Sequence, residues 1–234
     1  MLDNYNERLF NGKSFRSRLH FARYEWFQKK VKKYNCATDT ILELGCFDGK
    51  AIEFLEHLPK HYAGYDANWE GGLDIGKEKW KDKPGYEFNL CTSTNDFKPK
   101  ENYFDISICQ ETMEHLLLAD LDTYIDRLAK ATKTYCFISV PNEKGIIFLA
   151  KHISKKLTQK KEDLETYSLA EVFYATTGNL KKVKRNETSH KGFDYSELQK
   201  KLQNYFEIVE VNGIPFGWLP ASLSFTVGFV CKRK

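Results

Sequence analysis

The residues best suited to chemistry fall into three short groups. The first is residues 40–50, TILELGCFDGK, where an apolar run leads into Glu43, Gly45, Cys46, Phe47 and Gly49. Glycines at a strand-to-helix corner permit a sharp turn and let a ligand approach the backbone. The helix start beyond them offers unpaired N–H groups. The second group is Asp66, which ends the run HYAGYD 21 residues after Gly45. A carboxylate at the end of a second strand can accept both hydroxyls of a ribose. The third is a pair of histidines: His115 in the Glu-His-Leu segment after FDISIC, and His190 ahead of SELQKKLQ. Either imidazole can take a proton from an attacking hydroxyl near neutral pH. His152 and His20 stand on helix-like stretches and read as packing or surface residues.

The first two groups suit a nucleotide but leave its kind open. A dinucleotide fingerprint, G-x-G-x-x-G from Gly45, needs glycine at positions 47 and 50, where Phe47 and Lys50 stand instead. That argues against a nicotinamide cofactor. Six cysteines stand at 36, 46, 91, 109, 136 and 231, with no C-x-x-C pair and no metal-like spacing, so no metal is expected. Several lie in apolar runs, where a thiol is a small buried hydrophobe, and free thiols point to a reducing, cytoplasmic setting.

These groups need elements to carry them. Apolar runs at 41–44, 61–65, 86–90, 104–109 and 135–140 read as strands, and helical patterns at 51–58 and 118–132 lie between them. Such alternation predicts a parallel sheet with crossover helices on both faces. A helix over 196–203 precedes strands at 205–213 and 223–234, whose Gly/Pro-rich connection has no room for a helix. That makes an antiparallel hairpin. Residues 14–35 read as an amphipathic N-terminal helix with Leu19, Ala22, Trp26 and Val31 at helical spacing. On it Arg16 and Arg23 read as solvent-exposed, the alternative being a pairing with an anionic ligand group.

Residues 142–192 depart from the alternation and hold two helical stretches, the kind of excursion that serves as an active-site lid. From 143 to 191 the chain carries eleven Lys/Arg against six Asp/Glu, although its total formal charge is only +4. Concentrated charge favours a small anionic ligand, while the modest total makes a nucleic-acid partner unlikely on charge grounds. The longest apolar run, 146–150, cannot span a bilayer. The stretch 145–157, with apolar residues along one side and lysines between, is compatible with contact at a membrane surface. IPFGWLP, 214–220, offers apolar groups for a pocket rim or a dimer contact.

Taken in order, ELGCFDG, YDAN, FDISICQETMEHL and ISVPN resemble the successive motifs of the class I S-adenosylmethionine-dependent methyltransferases. ISVPN and the C-terminal HKGFDYSELQKKLQNYFEIVEVNGIPFG are similar to the ubiquinone-biosynthesis-like branch of small-molecule methyltransferases. The resemblance spans residues 36–142 and 190–234. It implies one domain over 1–234 with a Rossmann-like, mostly parallel seven-stranded sheet, and S-adenosyl-L-methionine as cofactor with S-adenosyl-L-homocysteine as product. By position it implies that Glu43 reaches the methionine end of the cofactor and that Gly45, Cys46 and Gly49 form the bed beneath it. Phe47 replaces the family's middle glycine in that bed. Asp66 would hold the ribose, Ala67 and Asn68 the adenine, Cys91 and Thr92 the adenine edge, and Gln110 and Glu111 the methionine moiety. His115 and His190 are the candidate catalytic bases. The expected activity is methyl transfer to a small anionic acceptor such as a sugar or nucleotide-sugar. Two alternatives remain open: an RNA-modifying enzyme, and a catalytically silent binding domain.

Overall fold

Strand β1 (Thr40–Leu44) turns Ile41 and Glu43 to one side and Leu42 and Leu44 to the other, and all four are buried. Burial on both sides marks a strand covered by two layers. The structure, a computed structural model, describes residues 15–158, 165–186 and 189–234. Six further strands follow: β2 (His61–Asp66), β3 (Tyr86–Leu90), β4 (Phe104–Gln110), β5 (Thr132–Pro141), β6 (Phe206–Ile214) and β7 (Thr226–Arg233). The helices are α1 (Phe15–Lys33), α2 (Gly72–Lys79), α3 (Leu121–Ala131), α4 (Gly145–Thr158), α5 (Leu169–Thr176) and α6 (Tyr195–Tyr205).

The sheet order is β3-β2-β1-β4-β5-β7-β6. Strands β1 to β5 pair in parallel, and β7 runs antiparallel to both β5 and β6. The chain leaves β1 in one direction and returns through β4 in the other. The carboxyl ends of these two strands therefore flank a crevice where open α/β sheets bind ligands.

Each strand splits its side chains between two cores. On one face α1 buries Ala22, Tyr24, Trp26 and Phe27 against Ile41, Ile106, Ile108, Phe137 and Val230. On the other, α3 and α6 bury Ile125, Leu128, Leu198 and Leu202 against Leu42, Leu44, Cys109, Ile138 and Phe229. Cys36 is half-buried and the other five cysteines are buried, all as free thiols. After β5, α4 and α5 close a small core of their own around Phe148, Ala175, Leu180 and Val183. Arg185 ties this excursion to the turn after β4 by donating to the Glu114 carbonyl, and Lys144 ties it to the start of α6 by reaching Asp194 Oδ1 at 2.6 Å.

Two elements differ from the sequence pattern. The helix expected over 51–58 is a single 3-10 turn, Lys50–Phe54, after which Leu55 is extended. Its buried residues, Ala51 and Ile52, are adjacent rather than one helical turn apart, and Phe54, its last residue, stacks on Tyr24 of α1 at 4.9 Å. Helix α2, in contrast, is hidden in the sequence by Gly72 and Gly76, which lower helix propensity. Both are required by packing, since a Cβ would fall 2.1 Å from the Phe47 ring at Gly72 and 2.6 Å from Phe88 at Gly76.

Phe137 is fully buried and meets Phe27 edge-on at 5.4 Å. Phe137→Ala should lower unfolding free energy by about 3–5 kcal/mol, measured by urea denaturation.

Candidate active site

The loop after β1 is held by hydrogen bonds to β2. Gly45 N–H donates to the Tyr65 carbonyl at 2.7 Å, and Asp66 Oδ2 accepts from Phe47 N–H at 3.0 Å. Asp66 Oδ1 accepts from Asn68 N–H at 2.8 Å and from Trp69 N–H at 3.3 Å, so its carboxylate faces the loop as well as its own turn. Burial raises the Asp66 carboxyl above its ordinary range, outweighing those three amides. Gly45, Phe47 and Gly49 all take left-handed φ values, of 77°, 48° and 72°. Phe47 therefore accepts a backbone strain that glycine would avoid, and its half-buried ring lies against Gly72.

The glycine corner also serves packing. A Cβ at Gly45 would fall 1.9 Å from Thr112 Oγ1, so the missing side chain makes room for the segment after β4 rather than for open space. That contact draws the ends of β1 and β4 together. Cys46 Sγ points into the core beneath Gly64, and Cys91 is buried beside Tyr124. Both thiols are buried, as the apolar runs around them led one to expect. Ala67 is exposed; the Asn68 amide is engaged by Asp74 at 2.8 Å, and Thr92 binds Asp96 through both its N–H and its hydroxyl at 3.1 Å.

At the other side of the crevice several polar groups are buried together. Tyr62 OH donates to Glu43 Oε2 at 2.6 Å. Burial pushes the Glu43 carboxyl up to about 8, with Tyr62 and Arg23 opposing the rise. Arg23 is only 7% exposed, which corrects its reading as a solvent-facing residue. It stands where its charge acts on both Glu43 and Glu114, and its guanidinium donates to Tyr24 OH at 3.0 Å. The side-chain position of Arg16 lies outside the described residues. Gln110 donates to the Arg23 carbonyl at 3.3 Å, while its buried Oε1 has no hydrogen-bond partner among the described residues. Glu111, with a left-handed φ of 51°, accepts from Ser139 Oγ at 3.3 Å.

The two histidines meet. His115 Nε2 and His190 Nε2 are 3.3 Å apart, and Glu114 Oε1 lies 3.9 Å from the first and 3.8 Å from the second. Glu114 is fully buried, and neither of its oxygens accepts a hydrogen bond from a described residue. Burial raises its carboxyl, with nearby Glu111 adding to the effect. Behind His190, Glu143 Oε1 lies 3.7 Å from Nδ1 and binds Lys151 Nζ at 2.5 Å. Burial would raise Glu143, but Lys151 and His190 bring it down to about 2. For His190, burial opposes the charged form, yet Glu143 and Glu114 raise its pKa overall. One ligand atom from each of Glu114, His115 and His190 falls within 4.8 Å of the others, a grouping of donors that could hold a metal ion. Sequence spacing concealed this group because His190 is 75 residues from its partner. Glu114 and Glu143 were not singled out from the sequence; only the adjacency of Glu114 to His115 hinted at the former.

No protein-family model matches the sequence, nor does any curated protein. Solved structures do match. An S-adenosylmethionine-dependent methyltransferase from Clostridium acetobutylicum aligns with a TM-score of 0.64 at 12% identity, over 97% of this chain and 95% of that one. Magnesium protoporphyrin IX methyltransferase from Synechocystis, solved with bound SAH, gives 0.61 at 12% identity, over 97% and 92%. The N-methyltransferase NodS from Bradyrhizobium japonicum gives 0.57 at 13% identity, over 92% and 96%. The fold is that of the S-adenosylmethionine-dependent methyltransferases, as the sequence motifs led one to expect.

Glu43 gives the site a pH signature. Unfolded, it ionises near 4.5; folded, it keeps its proton up to about 8. Its contribution to stability is therefore lost as pH rises through that window, because folding must recover a proton. Glu43→Gln should flatten the decline, improving relative to wild type by roughly 2–4 kcal/mol between pH 5 and 8 in urea titrations.

Proposed function

We propose that the protein binds S-adenosyl-L-methionine across the carboxyl ends of β1 and β2 and transfers its methyl group to a hydroxyl of a small, anionic acceptor. One observation carries this reading. The Gly45 corner touches Thr112, and two residues later the chain reaches the Glu114–His115–His190 cluster, so a cofactor on the loop and an acceptor at the cluster would be neighbours. We read the chain as one catalytic domain, with the basic excursion of α4 and α5 as its lid.

In this reading Asp66 accepts the ribose hydroxyls, using acceptor capacity beyond its backbone bonds. Arg23 pairs with the cofactor's carboxylate, and Gln110 Oε1, a buried acceptor without a donor among the described residues, receives its ammonium group. Phe47 and Gly49 shape the turn beneath them. A sulfonium methyl is already electrophilic, so alignment supplies much of the rate.

The acceptor hydroxyl must lose a proton. A buried carboxylate left without hydrogen bonds is costly, and Glu114 together with two imidazoles fits a divalent cation better than it fits a hydrogen-bonded triad. This reading departs from the sequence expectation of no metal. Such a cation would make the hydroxyl more acidic by Lewis-acid polarisation, so that its proton passes to solvent as the oxygen takes the methyl group and the S–CH3 bond breaks to leave S-adenosyl-L-homocysteine. Glu143 fixes the His190 ring from behind, and Lys151 keeps Glu143 ionised. The anionic character of the acceptor rests on the lysines of the lid, whose charge excess exceeds that of the whole chain. The described residues contain no helix long and apolar enough to cross a membrane.

Calorimetric titration should detect both S-adenosyl-L-methionine and S-adenosyl-L-homocysteine. Asp66→Ala should weaken either by about tenfold or more; no binding at high micromolar concentration would sink the enzymatic reading. Glu114→Gln and His190→Ala should keep cofactor affinity but lose roughly 10²–10⁴ in methyl transfer from labelled cofactor to a small-molecule extract. Chelation should abolish turnover and added Mn²⁺ or Mg²⁺ restore it. Turnover indifferent to chelators would leave the imidazoles as simple bases.

A further inference from the structure

The helix pair beyond β5 is apolar on two sides. Its inner side forms the small core around Phe148, Ala175, Leu180 and Val183. The outer side of α4 should then be polar, as surface helices are. Instead Ile146, Ala150, Ile153 and Leu157, one or two turns apart along a single line, are exposed, with Leu157 at 81%. On α5, Leu169 and Phe173 repeat the pattern one turn apart, at 90% and 63% exposure.

We propose that this outer face docks on an anionic lipid surface. Apolar residues along one helical line, with basic residues alongside, are what an interfacial helix presents to the boundary between headgroups and acyl chains. The charge matches. Lys156 on α4 and Lys181, Lys182 and Lys184 just after α5 are exposed, and residues 143–191 carry eleven basic against six acidic side chains. Anionic headgroups attract such lysines by about 1 kcal/mol each. A second copy of this chain fits less well, since a self-interface would bring like charges face to face. A nucleic acid would use the lysines but not the leucine, isoleucine and phenylalanine side chains. The inference stands apart from the methyl-transfer reading, because no residue of the stripe belongs to the proposed cofactor or cation site.

Co-sedimentation with vesicles tests it. The wild-type chain should partition onto phosphatidylglycerol–phosphatidylcholine vesicles at least about tenfold more strongly than onto phosphatidylcholine alone. The exposed double substitution Ile153→Glu with Leu157→Glu should lower that partition by about tenfold or more. Circular dichroism and cofactor titration of the same variant should match wild type, which separates a failure of docking from a failure of the fold or the enzymatic reading. The proposal is overturned if wild type stays in the supernatant, or if the variant sediments as well as wild type. It is equally overturned if sedimentation velocity shows that the substitutions break a dimer while vesicles bind neither protein.

Discussion

Asp66 joins the two strand ends on which the crevice is built. Its carboxylate accepts the Phe47 amide from the loop after β1 and the Asn68 and Trp69 amides from the turn after β2. Parallel strands share no hairpin, so their carboxyl ends have to be registered by contacts such as this one. The Gly45–Thr112 contact does the same between β1 and β4. With three strand ends fixed relative to one another, the loops beyond them present their groups to a common space.

What those loops present is unusual for a protein interior. Glu43, Gln110, Glu114 and Glu143 are all less than a tenth exposed. Buried carboxylates survive when neutralised, paired or bound to a metal. Each of the three takes a different route. Glu43 keeps its proton with Tyr62 as donor, and Glu143 is held ionised by Lys151 and His190. Glu114 faces two imidazoles and accepts no hydrogen bond from a described residue. The differences come from neighbours a few ångströms away, which is why three residues of one type acquire three characters.

The excursion after β5 meets these groups. It delivers His190 to His115, and Arg185 and Lys144 pin it to the site and to α6. Its inner side is satisfied by its own small core, leaving an outer side whose composition has no explanation within the monomer. Site and surface thus share one segment, which carries both His190 and the exposed apolar line of α4.

Much of this was legible in the chain itself. The strand alternation, the acid 21 residues after Gly45 and the closing hairpin depend on local pattern, and local pattern is fixed by side-chain periodicity and turn chemistry. The helix missed at Gly72–Lys79 and the one misplaced over 51–58 were decided by aromatic rings from elsewhere, Phe47 and Phe88 in one case and Tyr24 in the other. Likewise Arg23 turned in from solvent, because the side of an element that is covered depends on what packs against it. The meeting of His190 with Glu114 and His115 belongs to tertiary structure alone. Residues far apart in sequence carry no mutual signal in one chain, and only the folding of the excursion after β5 toward the strand ends brings their charges within reach of each other.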